Sequence, residues 1–271
     1  MRIKLNGQIH VLSDSWADVP MKHREALFTL LLLFEEKDAK IVALQQMLKL
    51  SKGIFLRIAH KDIAALIAQL TWFNLQPSAT PILPFFEEKG TRYYFPKADF
   101  LNGTALEFML IQELYNDFVK SDFDLNILRS IAAVMLRESD KKTQNRVLLT
   151  ENDEAHEKRQ QVFKSLSPTR CTLVLRYVQG VLDAIERTGT TFGIFGPPKE
   201  GEADTPNINI FGWKSVFRSI AETGPFGDYD AVLQRPFWDI IEILAEREAL
   251  REAQKTIIEN HDAIGNQDVS D

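Results

Sequence analysis

The chain has 271 residues, of which 45% are hydrophobic and 26% are charged, and its formal net charge is −6. This balance is typical of a soluble globular protein and excludes a disordered chain, which is poorer in apolar residues. Cys171 is the single cysteine, so the chain has neither an intramolecular disulfide nor a cysteine-based zinc site. We expect Cys171 to be a buried small hydrophobe in a reducing compartment.

The negative charge lies at the C-terminal end of the chain. Residues 237–271 contain nine Asp or Glu against three Lys or Arg, so the remainder is close to neutral. A neutral body argues against non-specific DNA binding, which needs clustered basic charge. The N-terminal residues lack the apolar core of a signal peptide, and the longest apolar run, near Leu30 to Phe34, is far shorter than the ~20 residues that span a bilayer. The sequence therefore predicts a cytoplasmic protein that binds neither membrane nor nucleic acid.

The N-terminal residues predict a short β-hairpin followed by a core helix. Apolar and polar residues alternate over residues 2–12 around Asn6-Gly7, the favoured two-residue turn. Asp18 offers a helix cap, and Pro20 suits the first turn of the helix that we expect over Val19–Glu36. This segment is apolar on most of its faces, which is typical of a central core helix.

Four more helices and a second hairpin are predicted before residue 138. A proline-rich loop over residues 76–84 leads into the hairpin at residues 85–95, which turns at Gly90. Thr104 followed by Glu107 forms the capping-box pattern. The four helices are expected over Ala39–Leu50, from Asp62 to near Phe73, after Thr104, and from about Asp124.

The segment that follows changes in character, because charged and amide residues dominate it. We interpret residues 138–164 as a charged, solvated linker or insertion and as the boundary between two regions. Ser167-Pro168 then begins a helix by the cap-then-proline pattern. Residues 188–210 predict a long loop, Asp228 caps a small helix, and Pro236 begins the terminal helix.

The second hairpin is unusually aromatic for its size. A two-stranded hairpin has little capacity to bury five aromatic side chains, so some of them must meet another surface. That surface is either this chain's own helices or a partner. The candidate partner-binding residues on the hairpin are Phe85, Phe86, Tyr93, Tyr94 and Phe95.

The second half of the terminal helix is highly charged. Arg247, Arg251 and Lys255 follow one another at four-residue spacing beside Glu248 and Glu252. A half-helix of this kind is typical of a projecting arm or a partner surface. The three basic residues are therefore the second group of candidate partner-binding residues.

Motifs for catalysis or cofactor binding are missing from the sequence. The five histidines lack metal-ligand spacing, and the chain has neither a phosphate-binding loop nor a Gly-x-Ser-x-Gly nucleophile motif. The glycine-rich residues 189–196 open no helix, because Pro197-Pro198 follow them. We predict a non-enzymatic protein without catalytic residues, cofactor or metal. An active site assembled from sequence-distant residues stays open as an alternative.

Three segments carry a family resemblance. The first is the N-terminal hairpin with Ser15-Trp16-Ala17-Asp18-Val19 and the apolar helix behind it. The second is the helix Leu125–Arg137, with its Ile-Ala-Ala-Val-Met-Leu-Arg core. The third is Phe211-Gly212-Trp213, a short helix, the acidic-turn segment Asp228–Gln234 and a charged final helix. Together they resemble tailed-phage or prophage proteins of the tail assembly chaperone type.

The resemblance implies a non-enzymatic role in the cytoplasm of a bacterial host. Such chaperones coat a long, apolar, helical tape-measure protein until tail-tube subunits replace them. A helical client of this kind needs apolar grooves, and an acidic arm keeps the complex soluble. The alternative is a structural or adaptor component of a phage virion or a related injection machine. A nucleic-acid regulator is a third reading, against which the lack of a basic stripe counts.

We therefore predict a mainly α fold with one or two small β-hairpins. The hairpin and N-terminal helical domain cover residues 1–137, and the charged linker covers residues 138–164. A C-terminal helical region with the loop and the acidic terminal helix covers residues 165–271. The expected partner is a protein client or an assembly partner, and the sequence leaves open whether the chain forms a homo-oligomer.

Overall fold

A computed structural model describes residues 2–5, 8–139, 154–195, 212–224 and 226–265. Over these residues the protein is mainly helical, with one two-stranded and one three-stranded antiparallel sheet, which confirms the predicted fold class. The elements in chain order are β1 (Arg2–Leu5), β2 (Gln8–Val11), α1 (Met21–Leu33), α2 (Glu36–Leu48), α3 (Lys52–Phe55), α4 (His60–Ala68), β3 (Phe85–Glu88), β4 (Thr91–Tyr94), α5 (Ala105–Lys120), α6 (Leu125–Met135), β5 (Arg137–Glu138), α7 (Glu154–Phe163), α8 (Pro168–Thr191), α9 (Gly212–Thr223), α10 (Tyr229–Leu233) and α11 (Phe237–Gly265).

The first hairpin forms as the alternation of apolar and polar residues predicts. β1 and β2 pair antiparallel, with Arg2 opposite Val11 and Leu5 opposite Gln8. The predicted turn at Asn6-Gly7 lies outside the described residues.

Asp18 does not cap α1, so that prediction is wrong. It lies in a short 3-10 helix over Trp16–Asp18, where its Oδ2 accepts hydrogen bonds from the Asp14 N–H at 3.1 Å and the Ser15 hydroxyl at 2.9 Å. The hydrogen bond from Ser15, followed by the one from Asp14, lowers the pKa of the Asp18 carboxyl. Pro20 takes the N-cap position instead.

Helix α1 buries one face only. Leu27, Phe28 and Leu31 are at most 5% exposed, whereas Leu33 is 70% exposed and Phe34 48% exposed. The expectation of a helix buried on most faces is wrong at its C-terminal end, because α2 and α8 pack against one side of α1 and leave the other side open.

The third predicted helix is displaced and shorter than expected. It begins at His60, so Asp62 lies within its first turn rather than at its cap, and it ends five residues before Phe73. Phe73 is nevertheless fully buried. The short helix α3 precedes α4. The Ser51 hydroxyl caps α3 by accepting a hydrogen bond from the Ile54 N–H at 3.4 Å.

The second hairpin is part of a three-stranded sheet. Phe85 pairs with Tyr94 across β3 and β4, and β5 adds a third strand by pairing Tyr94 with Arg137. Lys89 and Gly90 form the turn with φ of 51° and 78°. Two consecutive positive φ values are what the favoured two-residue hairpin turn requires. No sequence pattern predicts β5, which has only two residues.

The capping predictions for α5 and α6 are confirmed. The Thr104 hydroxyl accepts from the Glu107 N–H at 3.2 Å, and Glu107 Oε2 accepts from the Thr104 N–H at 2.9 Å. Both halves of the capping box are therefore present. At the start of α6, the Asp124 carboxylate accepts a hydrogen bond from the Asn126 N–H at 2.8 Å.

The predicted solvated linker contains a packed helix. Phe163 and Arg159 on α7 are fully buried, and Arg159 Nε donates to the Ala133 carbonyl of α6 at 3.0 Å. The prediction is wrong over α7, because one aromatic side chain and one arginine anchor an otherwise charged helix to α6. Residues 140–153 of the predicted linker lie outside the described residues.

The C-terminal helices begin where the sequence predicts. The Ser167 hydroxyl accepts from the Arg170 N–H at 3.3 Å, and Pro168 occupies the first turn of α8. Asp228 caps α10. Helix α8 reaches Thr191, so it includes the start of the loop predicted over residues 188–210, and residues 196–210 of that loop lie outside the described residues.

The hydrophobic core joins the two predicted helical regions. A single cluster of buried residues takes side chains from both of them. Phe108 of α5 stacks on Phe237 of α11 with ring centroids 3.8 Å apart, and Trp213 of α9 meets Phe108 edge to face at 5.2 Å. The start of α11 is therefore fixed to the body of the protein.

Candidate functional site

The second hairpin places three of its five aromatic side chains in the core. Phe86, Tyr93 and Phe95 are at most 5% exposed. The rings of Phe86 and Phe95 pack edge to face at 5.1 Å, and Tyr93 packs against Phe163 of α7 at 5.0 Å. The expectation that these three contact a partner is corrected for the folded chain, because they already cover this chain's own helices.

Phe85 and Tyr94 are the hairpin aromatics that keep exposed surface. Both are half-buried, and their rings lie 5.3 Å apart across the strands. The Arg92 guanidinium lies 4.9 Å from the centre of the Phe85 ring. Tyr94 also lines a groove of about 400 Å³, whose other lining residues include Pro81, Pro84 and Pro96. These two residues stay candidates for partner contact.

Arg170 of α8 fixes the hairpin to the helices. Its Nε and Nη2 donate to the two carboxylate oxygens of Glu25 on α1 at 2.8 and 3.0 Å, and its Nη1 donates to Glu88 of β3. The guanidinium also lies 5.2 Å from the centre of the Phe86 ring. The hydrogen bond to Glu25, the largest cause, raises the pKa of Arg170. The hairpin is therefore tied down on its own body.

Helix α11 continues beyond the body of the protein. Every residue from 249 to 258 is exposed, and we call this segment the arm. Leu250, Ile257 and Ile258 on the arm are 64%, 68% and 61% exposed. Large aliphatic side chains rarely remain so exposed in groups, and such groups mark surfaces that a partner covers.

The three basic residues predicted on α11 differ in their surroundings. Arg247 lies at the base of the arm, where its Nη2 donates to Thr223 Oγ1 of α9 at 2.7 Å. Arg251 Nη2 donates to Glu248 at 2.7 Å and keeps 73% of its side chain exposed. Lys255 is exposed on the arm. Arg251 and Lys255 are therefore placed to meet a partner, whereas Arg247 binds its own body.

The turn between α5 and α6 carries a second exposed apolar group, which we call the tip. Val119, Phe123 and Leu125 are 50%, 62% and 37% exposed. Asp122 and Phe123 both adopt positive φ, and the Phe123 N–H donates to the Phe118 carbonyl at 3.2 Å. This is the bond of a Schellman cap, and the Phe118–Phe123 ring contact at 5.3 Å accompanies it. The cap explains the turn but leaves most of the Phe123 ring exposed.

A cleft of about 1040 Å³ lies where the N-terminal segment meets α1 and α2. Leu12, Val19 and Leu27 line it with buried apolar side chains. Its polar lining includes Asp18, whose carboxylate is bound to its own turn, and the lysines Lys22 and Lys49. The volume is at the upper end for small-molecule sites. Asp14 and His23 also line the cleft.

Cys171 is buried on α8, as the sequence predicts. Burial raises the pKa of its thiol, and its Sγ lies 3.8 Å from the Leu166 carbonyl oxygen. A reactive cysteine needs the opposite shift and an exposed sulfur. Within the described ranges, the acidic, histidine and cysteine side chains form no group of three able to hold a metal ion.

Comparison with protein-family models, with curated proteins and with solved structures gives no match to this chain. Of the helices in the part of the chain that the structure describes, none is both long and apolar enough to cross a membrane. The surfaces described above are therefore the basis for any functional proposal.

The apolar residues of the arm were not among the partner-binding residues predicted from the sequence. Those were Arg247, Arg251 and Lys255, whereas Leu250 directly precedes Arg251, and Ile257 and Ile258 follow Lys255. The signal was present, because Ile243, Leu250 and Ile257 follow one another at seven-residue spacing. The tip was not predicted, because Val119 lies near the end of α5 and Phe123 lies in the turn after it, where no regular spacing marks them.

Proposed function

We propose that this chain is a non-enzymatic assembly protein of the tail assembly chaperone type, which binds a long helical client through the arm. The observation that carries the proposal is the exposure of Leu250, Ile257 and Ile258 on a single projecting helix. An apolar surface that no part of the described body covers is a cost in water, and a client with its own apolar stripe removes that cost.

A helix is the client shape that the arm fits best. Leu250, Ala253 and Ile257 recur at spacings of three and four residues, which is the pattern by which one amphipathic helix packs along another. Ile258 widens this apolar face. A long helical client offers many equivalent stretches, so several copies of the chain have room to bind side by side.

The arm supports binding that is weak for one copy and reversible. Burying one Leu or Ile side chain contributes about 1.5–3 kcal/mol, and association itself costs several kcal/mol. Leu250, Ile257 and Ile258 therefore supply a modest net affinity. A coat that other subunits later replace needs this property, and binding of many copies along one client supplies the overall strength.

The charges beside the apolar face favour a client with acidic residues at its edge. Arg251 and Lys255 are exposed on the arm and lie next to its aliphatic residues. The carboxylates of Glu248 and Glu252 offset them, so the arm as a whole keeps the complex soluble. Such a protein acts in the cytoplasm of the bacterial host, before a particle is complete.

The experiment that tests this function is a tagged pull-down from the native host during prophage induction, read by mass spectrometry beside purified particles. We expect a very long helical protein in the pull-down and none of this chain in the particles. Capture of no such protein would overturn the proposal.

The second candidate is a structural or adaptor component of a virion or injection machine. The tip favours this candidate, because Val119, Phe123 and Leu125 form a further exposed apolar group. This group lies at the turn between α5 and α6, whereas the arm belongs to α11. A permanent subunit that contacts several neighbours covers more than one such surface. This chain would then be present in purified particles at fixed stoichiometry.

A further inference from the structure

A single apolar stripe runs along α11 from the body into solvent. Ile243 packs against the core at the base, and Leu250 and Ile257 continue the stripe at 64% and 68% exposure. The seven-residue spacing keeps these side chains on one face of the helix and is the repeat of a coiled coil. With Leu250 and Ile257 at the d positions of this repeat, Gln254 occupies the a position between them.

A polar residue at one a position is a known device of two-stranded coiled coils. Such a residue lowers stability but fixes the register and the number of helices, because it must meet a polar partner across the seam. Gln254 is exposed and suits this role when it faces the same residue of an identical helix. This requirement favours a parallel pair of equal helices over contact with an unrelated apolar surface.

The charges that flank the stripe are complementary between two parallel copies. In the same repeat, Glu246 is at g and Arg251 is at the following e, and both are exposed. Residues at g and e of neighbouring parallel helices form interhelical ion pairs. In an antiparallel pair, the e position of Arg251 faces the e position of Ile258, so this ion pair is lost.

The cation at the preceding a position does not oppose the pairing. Arg247 occupies an a position, where two copies would bring like charges together. Its Nη2 instead donates to Thr223 Oγ1 of α9 at 2.7 Å, so the guanidinium is held toward its own body. Apolar contact between the two helices therefore begins at Leu250, beyond the hydrogen bond of Arg247 with α9, and the exposed Glu246 flanks its start.

We propose that a second copy of this chain covers the arm, as a parallel two-stranded coiled coil that begins at Leu250 and aligns Gln254 with Gln254. Leu250 and Ile257 are apolar side chains that the described body leaves exposed on the arm, and keeping them in water costs free energy. Pairing supplies the missing contacts. The pairing itself is independent of the client, whereas its role as the resting state of the arm, which a client displaces, rests on the proposed function.

Cysteine cross-linking of the full-length chain tests the pairing directly. The native Cys171 is buried, so an engineered cysteine on the arm is the accessible thiol of the described residues. Gln254→Cys places two sulfurs across the seam, and Thr256→Cys, on an outward face of the same arm, is the matched control. Under mild oxidation, we expect a disulfide-linked dimer from Gln254→Cys to form at least about fivefold faster than from Thr256→Cys, since a disulfide needs Cα atoms within about 7 Å.

The same chain provides a test without any cross-link. Light scattering of the purified protein is expected to give a mass that rises from one chain toward two with concentration. Ile257→Asp is expected to keep the mass at one chain, whereas Thr256→Asp, which adds the same charge beside it, is expected to behave as the wild type. Equal cross-linking rates for the two cysteine variants, or a single-chain mass at all concentrations, would overturn the pairing. Neither measurement contains a client, so a failure here leaves the pull-down test of the proposed function unaffected.

Discussion

Glu107 and Arg137 form an ion pair in the interior of the protein, with 3.2 Å between Glu107 Oε1 and Arg137 Nη2 and side chains that are 2% and 0% exposed. The other carboxylate oxygen, Oε2, accepts the Thr104 N–H of the capping box at 2.9 Å. One carboxylate therefore holds the start of α5, and through Arg137 it also holds β5, the strand that completes the second sheet.

Breaking this pair is expected to destabilise the fold strongly. Glu107→Gln removes the negative charge from the buried ion pair with Arg137, and removing one partner of a buried pair costs about 3–5 kcal/mol. Glu113→Gln on the same helix is the control, because its ion pair with Lys214 is exposed and contributes less than about 1 kcal/mol. Urea denaturation of both variants measures the difference, and similar free energies of unfolding would contradict it.

Two buried arginines are expected to respond in opposite ways to replacement by methionine. Burial alone lowers the pKa of Arg176 to about 10, and its buried Nε has no hydrogen-bond partner among the residues that the structure describes. Arg176→Met removes this desolvation cost, so its stability should be unchanged or raised by about 1 kcal/mol. Arg137→Met removes the buried cation of the pair with Glu107 and should cost about 3 kcal/mol or more. A large loss of stability in Arg176→Met would show that the Arg176 guanidinium makes a contact that stabilises the fold.

The buried thiol of Cys171 is expected to make stability depend on pH. Burial raises the pKa of this thiol above its ordinary value of 9.0, so the unfolded chain loses the proton at a lower pH than the folded chain. Its contribution to stability is therefore complete below pH 9 and declines as the pH rises above it. The difference in free energy of unfolding between wild type and Cys171→Ala should narrow above that pH. A difference in free energy of unfolding that does not change with pH would contradict the raised pKa of this thiol.

Two neighbouring phenylalanines of the second hairpin are expected to differ sharply in the stability that is lost when each is replaced by alanine. Phe86 is 1% exposed and packs on Phe95, so Phe86→Ala should cost about 3–5 kcal/mol through lost burial and the cavity left behind. Phe85 is half-buried, and Phe85→Ala should cost clearly less. Thermal unfolding followed by circular dichroism compares the two variants. Equal losses would mean that both strand faces belong to the core.

Local patterns predicted the helix starts well, because the cause lies within a few residues. The capping box of Thr104 and Glu107 and the caps at Ser167 and Asp228 are all present. In each cap, a side-chain oxygen accepts a hydrogen bond from a backbone N–H two or three residues further along the chain. Both partners are therefore visible in the local sequence. Asp18 failed as a cap because its own turn, through Asp14 and Ser15, competes for the same carboxylate.

Contacts between distant residues are what the sequence did not reveal. β5 has two residues, and it pairs with Tyr93 and Tyr94, more than 40 positions away, so no local alternation marks it. Helix α7 is charged, yet Arg159 and Phe163 are fully buried against other elements. For the hairpin, the sequence indicated that the aromatics must meet a surface, but only the fold decides which of them face inward.

Paired variants of adjacent residues on the arm show whether the arm binds the client. Ile257→Asp and Thr256→Asp add the same charge to the same helix, but only the first lies on the apolar stripe. In parallel pull-downs, capture of the long helical protein should fall at least about tenfold for Ile257→Asp, because losing one buried Ile side chain costs about 1.5–3 kcal/mol. Thr256→Asp should capture it as the wild type does. Equal capture by both variants would show that the apolar stripe of the arm does not bind the client.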